Sequence, residues 1–113
     1  MFPLHRMRRM RRTESMRRLI KETRLSVDNL IQPVFAIPGS NKKEEISAIP
    51  GTYRYSVDRL SEEVEAVVEA GIPAVLLFGV PEEKDPEGTE AYSPAGTVQR
   101  AVRAIKRAAP ELT

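Results

Sequence analysis

Apolar positions along this 113-residue chain follow no period at first, then a helical one, then alternate between strand-like runs and helical stripes. Residues 1–12 show no usable period. Arg8, Arg9, Arg11 and Arg12 repel one another and Pro3 breaks an early helix, so this stretch is expected to be an extended arm. Over residues 13–24, Met16, Leu19 and Ile20 share one helical face, with Thr13 or Ser15 placed to cap its start. Residues 30–37 (LIQPVFAI) read as a strand. Pro33 has no N–H, which points to an edge position or a strand end. Pro38-Gly39-Ser40-Asn41 is a turn, and residues 44–49 and 52–55 flank Pro50-Gly51 as a small hairpin.

The second half is more regular. Ser56 is placed to cap a helix over residues 57–70, with Val57, Leu60, Val64, Val67 and Val68 as its buried stripe. Asp58, Glu62, Glu63 and Glu65 take the solvent side, mostly near the positive end of the helix dipole, and Gly71 stops the helix. Residues 74–80 are apolar on both faces, as a covered parallel strand should be. A polar loop over 81–92 leads to Ser93-Pro94, a helix start with the serine hydroxyl as cap and proline in the first turn. Val98, Val102, Ile105 and Ala109 are the expected buried stripe of a helix over 93–109. A strand and a capped helix open a βαβ unit, whose second parallel strand must pair beside residues 74–80. The sequence reaches Thr113 without supplying it, so the chain reads as the front piece of a larger α/β protein.

Composition narrows the chemistry. Apolar content of 41% allows a core, 30% charged residues favour solubility, and no apolar run approaches the roughly 20 residues needed to span a bilayer. With no cysteine and one histidine, His5, the chain has no disulfide and no protein-built zinc site is expected. The net charge of +2 conceals an asymmetry. Residues 1–24 carry nine basic against two acidic side chains, and the rest carries nine against fourteen. A basic arm therefore precedes an acidic body, and the two attract within one chain or between copies. The same arm admits a rival reading, a small interaction module that binds acidic partners or nucleic acid. No aromatic residue lies between Leu4 and Phe35 to stack on bases, so nucleic acid is not the expected partner.

Glu82, Glu83, Asp85, Glu87 and Glu90 gather after the strand at 74–80. In a (β/α)8 barrel that loop lies on the catalytic face, where carboxylates could hold a cation or move protons; the plain alternative is a solvated polar loop. Phe78 sits near the end of its strand, where a barrel's pocket begins. Lys42, Lys43, Lys84 and Lys106 lie in polar settings, unlike the desolvated sites that activate amines, and there is no nucleophile–base pair or phosphate-cradling loop.

The residues as a whole carry a resemblance. In order along the chain they are RRMRR at 8–12 with MRRLIKET at 16–23, LSVDNLIQPVF at 25–35, IPGTYRYSVD at 49–58, GIPAVLLFGVP at 71–81, KDPEGTEAY at 84–92 and GTVQRAVRAIK at 96–106. Together they resemble the N-terminal third of the porphobilinogen synthases, or 5-aminolevulinate dehydratases. The resemblance implies an α/β fold: an N-terminal arm (residues 1–24, with a short helix) plus the first two βα units of a (β/α)8 TIM barrel (residues 25–113), incomplete. It implies a cytoplasmic homo-octamer in which such arms wrap neighbouring subunits, making Arg8, Arg9, Arg11, Arg12, Arg17 and Arg18 inter-subunit contacts. It also implies condensation of two 5-aminolevulinate molecules to porphobilinogen through two Schiff-base lysines, assisted by zinc or magnesium, in haem and tetrapyrrole biosynthesis. Those lysines, the metal ligands and the groups that bind the substrate carboxylates correspond to positions beyond Thr113. The resemblance therefore places no catalytic or metal-binding residue in this chain, offers Phe78 as its one candidate for lining the substrate pocket, and leaves the chain inactive by itself.

Overall fold

The computed structural model describes residues 2–113, and its shape divides into an arm and a body. Its radius of gyration is 21.0 Å, against about 13 Å for a compact chain of this length. The excess comes from the arm, since among the described residues no side chain before Val34 is buried. The arm holds a single turn at Arg9–Arg11, helix α1 (Glu14–Leu19) and a second turn at Val27–Asn29. Of the two capping candidates, Thr13 takes the role for α1: its hydroxyl accepts from the Met16 N–H at 3.2 Å.

The body is a four-stranded mixed sheet with two principal helices on one face. Strand β1 (Ile31–Ile37) is followed by β2 (Lys43–Glu45), β3 (Tyr53–Ser56), helix α2 (Leu60–Glu69), β4 (Ala74–Gly79), a short helix α3 (Thr89–Tyr92) and helix α4 (Thr97–Ala108). Spatial order is β2-β3-β1-β4, with β1 parallel to both β3 and β4 and only β2–β3 antiparallel. The hairpin expected around Pro50-Gly51 forms, with Lys43 opposite Tyr55.

β1 is not an edge strand, and the physical reason Pro33 is tolerated lies in the register. Ala36 accepts from Val80 N–H across β4 at 2.9 Å, so even-numbered residues of β1 bond toward β4 and odd-numbered ones toward β3. β3 reaches only Phe35–Ile37. The missing N–H of Pro33 thus faces a stretch of β1 that β3 does not cover.

The core lies between the sheet and the helices. Val34, Ala36, Tyr55, Leu60, Val64, Val67, Ala101, Ile105 and Leu112 form one buried cluster. Leu112, unremarked in the sequence pattern, joins it because residues 109–113 fold back beneath α4. There Thr113 donates to Pro73 O at 3.0 Å and accepts from Val75 N–H at 2.9 Å. Those two bonds are one rung of parallel pairing on the outer edge of β4, the edge away from β1.

Several local expectations are corrected. Ser56 caps nothing: its buried hydroxyl accepts from Lys42 N–H at 2.9 Å and fastens the β2–β3 hairpin. A single turn, Val57–Arg59, intervenes before α2. Val68 is 51% exposed, because the sheet contacts the Leu60–Val64–Val67 row beside it. Helix α4 begins at Thr97 rather than Ser93, and its buried row is Thr97, Ala101 and Ile105; Val98 and Val102 flank that row, Val102 at 45% exposure. Strand β4 is covered on its helix-facing side only, leaving Leu76 53% exposed on the other. Gly71, by contrast, acts as expected. Its φ of +75° sets up paired bonds from Gly71 to Val68 O (3.0 Å) and Ile72 to Val67 O (3.1 Å) that close α2.

Candidate functional site

Parallel strands end together on one side of a sheet, and the loops leaving those ends are where α/β proteins place their chemistry. Here the relevant ends are Ile37 of β1 and Gly79 of β4. Ala36 pairs with Tyr55 and Gly79, on the face packed against the helices. One residue earlier, Phe35 pairs with Arg54 on one side and Phe78 on the other. Side chains alternate across a strand, so Arg54, Phe35 and Phe78 form a row on the opposite, helix-free face. The Phe35 and Phe78 rings stack at 5.3 Å between centroids with an 18° interplanar angle. Phe78 stays 44% exposed, so the stack is an aromatic floor open to whatever approaches that face.

Above the end of β4, residues 80–96 wrap a cavity of about 320 Å³ lined by Pro81, Lys84, Thr89, Val98 and Gln99 among others. The carboxylates singled out in this loop are employed in shaping it. Asp85 is held below the usual carboxylate range by the Thr89 hydroxyl and by the Thr89 N–H, which donates to it at 2.8 Å. Glu90 is lowered likewise by the Thr97 hydroxyl and the Thr97 N–H, the latter at 3.0 Å. Glu90 therefore supplies the N-terminal cap that Ser93 was expected to give α4. The Gln99 side chain donates to Ala91 O at 2.6 Å, and Arg103 donates to Pro94 O at 2.6 Å, tying the loop down onto α4. Among the described residues no three His, Cys, Asp or Glu side chains come together to hold a metal ion. The described residues thus do not fit a zinc or magnesium site.

Gly79 sets how close α4 can come. A Cβ built there would overlap the Val98 side chain, so only glycine lets the first turn of α4 lie against the end of β4.

The arm holds its arginines outward. Arg8, Arg9, Arg11, Arg12, Arg17 and Arg18 are all exposed, and Arg17 donates to Arg11 O at 2.9 Å, folding the turn at Arg9–Arg11 against α1. No helix among the described residues is long and apolar enough to cross a membrane. Arg54 and Phe35 were not singled out from the sequence. The signal for both was parity: Tyr53 and Tyr55 bracket Arg54, and Phe35 lies two residues past Pro33 on the face that Phe78 shares.

A sheet with parallel strands joined through helices, and a cavity at the strands' carboxyl ends, is an α/β fold of the kind that carries enzyme sites. The family model described as Delta-aminolevulinic acid dehydratase matches residues 4–113, and the chain belongs to that family. Its curated relatives include the delta-aminolevulinic acid dehydratases of Synechococcus elongatus, 45% identical over 99% of this chain and 34% of that protein, and of Methanothermus sociabilis, 50% identical over 93% and 33%. The crystal structure of the Toxoplasma gondii ME49 enzyme in complex with the reaction product porphobilinogen superposes with a TM-score of 0.80 and 31% identity, covering 97% of this chain and 32% of that one. The chain spans about a third of the length of these relatives. Because the match runs through the body as well as the arm, the rival interaction-module reading is not supported.

Proposed function

We propose that this chain is the N-terminal third of a porphobilinogen synthase, the lyase that condenses two molecules of 5-aminolevulinate to porphobilinogen for haem and tetrapyrrole biosynthesis. The observation that carries this is a family match from residue 4 to residue 113 on a body whose parallel strands end around an exposed aromatic floor. In this reading residues 1–24 are an inter-subunit arm, and Arg8, Arg9, Arg11, Arg12, Arg17 and Arg18 contact neighbouring copies within a homo-octamer. Residues 25–113 are the first two βα units of a (β/α)8 barrel. Phe78 lines the substrate pocket. The Schiff-base lysines and the zinc or magnesium ligands belong to the other two thirds of the polypeptide.

The open edge of β4 beyond Val75 and the exposed Leu76 and Phe78 support the corollary that these residues make no product by themselves. Co-expression with the C-terminal two thirds of the Synechococcus elongatus relative tests the assignment. Porphobilinogen is expected from 5-aminolevulinate only when both pieces are present. Two soluble, associated pieces that make no product would overturn the assignment, and product from this chain alone would overturn the corollary.

A further inference from the structure

Helix α2 closes with its own backbone, through the paired bonds that Gly71 permits. Helix α4 does not. The residues that follow it, Ala109 to Thr113, include no glycine, and Pro110 has no N–H to return to the helix end. A side chain takes that place. The Lys106 ammonium donates to Pro110 O at 3.3 Å and also to Leu112 O. An ammonium carries three donors, so one residue can hold both carbonyls at once. Arg107, the other basic residue in the last turn of α4, bonds to neither carbonyl.

Three separate contacts thus converge on residues 110–113. Leu112 is buried in the core cluster, Thr113 pairs with β4 at Pro73 and Val75, and Lys106 fixes the carbonyls of Pro110 and Leu112. A strand that continues from Thr113 starts where this turn puts it, and its facing pattern depends on that start to within one residue.

We infer that Lys106 is a positioning residue for the reaction: by holding Pro110 O and Leu112 O it fixes the turn after α4, and with it the pairing of the following strand against Leu76 and Phe78. This deepens the functional reading above and rests on it. Lys106 touches no substrate in this role and acts through the strand that runs beside Phe78.

Amide exchange in the 113-residue chain reads the turn directly. The Thr113 and Val75 amides report the pairing at its end, and the Val80 amide, bonded to Ala36 O on the other edge of β4, is the internal control. Lys106→Met is expected to speed exchange at Thr113 and Val75 about tenfold, the size of a lost charged hydrogen bond, and to leave Val80 as it was. Lys106→Arg should keep exchange slow. Arg107→Met, which removes the same charge from the same helix end, should also leave it unchanged. In the enzyme assembled from this chain and the relative's remaining two thirds, joined at Thr113 into one polypeptide, Lys106→Met is expected to lower kcat about tenfold with KM little changed, because only correctly paired molecules turn over. Lys106→Arg should restore kcat. Unchanged exchange at Thr113 and Val75, equal acceleration at Val80, or an Arg107→Met variant that matches Lys106→Met overturns the inference. So does a Lys106→Met enzyme with full kcat, since the turn then positions nothing the reaction uses. An assembly inactive in its parent sequence counts against the functional reading alone, because exchange in the chain is read separately.

Discussion

At Gly79 a single hydrogen decides how closely a helix can approach a strand. Adding a methyl forces the Val98 side chain aside, and overpacking of this kind costs about 1–3 kcal/mol. Gly79→Ala is therefore expected to lower the urea midpoint of the assembled enzyme, and Val98→Ala in the same chain to recover most of the loss. Additive effects in that double-mutant cycle would show that the two positions do not touch. Tyr55 makes a different kind of contribution. Its hydroxyl donates to Glu63 at 3.1 Å, and burial, followed by the Glu63 charge, pushes its pKa up to about 12. A raised pKa means the folded state holds the proton more tightly, so this stabilisation is whole below pH 10 and is lost as pH rises from 10 to about 12. Tyr55→Phe should cost about 1 kcal/mol at neutral pH and flatten the fall in stability over that alkaline window. Residues such as Gly71 were legible from the sequence because one local conformation demanded them. Ser56 was not, because a serine before a helical pattern looks like a cap whichever backbone its hydroxyl binds.

At the scale of elements, the existence and type of every main strand and helix could be read from period, and the errors lie in boundaries and in rotation. Helix α4 shows why. Two adjacent rows fit a helical period, Thr97–Ala101–Ile105 and Val98–Val102, and hydrophobicity favours the valines. Packing chose the other row, because Ala101 lets the helix lie close to the sheet, whereas a valine row would hold it away. The start of α4 was displaced for a related reason: its cap, Glu90, is borrowed from the preceding helical turn, seven residues from the N–H it binds. Glu90→Gln should loosen that end, seen as faster amide exchange at Thr97 and Val98. Because the folded-state carboxylates of Asp85 and Glu90 are lowered, their anchorage is complete above the ordinary carboxylate range and is lost as pH falls below about 4. Exchange in residues 81–97 should therefore accelerate in acid before exchange in β1 does.

At the scale of the whole molecule, the arm and the body are nearly independent. With no buried side chain before Val34 among the described residues, deleting residues 2–24 should leave the unfolding transition of the body unchanged while reducing self-association of the assembled enzyme in light scattering. Added salt should act in the same direction as the deletion, since the arm is basic and the body acidic. An arm that changed the melt and left association untouched would contradict its assignment as an inter-subunit element. The mixed α/β architecture was legible because burial imposes strong patterns on a parallel strand and its covering helices. The row of Arg54, Phe35 and Phe78 was not, because it depends on the register between three strands and no single segment encodes that.

The two hydrogen bonds at Thr113 act as the first tooth of a zip. Any polypeptide that continues from this residue inherits an alignment already chosen, in which its second added residue lies across from Leu76 and its fourth across from Phe78. Which side chains will look onto the aromatic row, and which onto α4, is thereby settled one residue into the strand. Inserting a single residue between Leu112 and Thr113 would turn any following strand over, sending its helix-facing set onto the aromatic row and its other set against the helix.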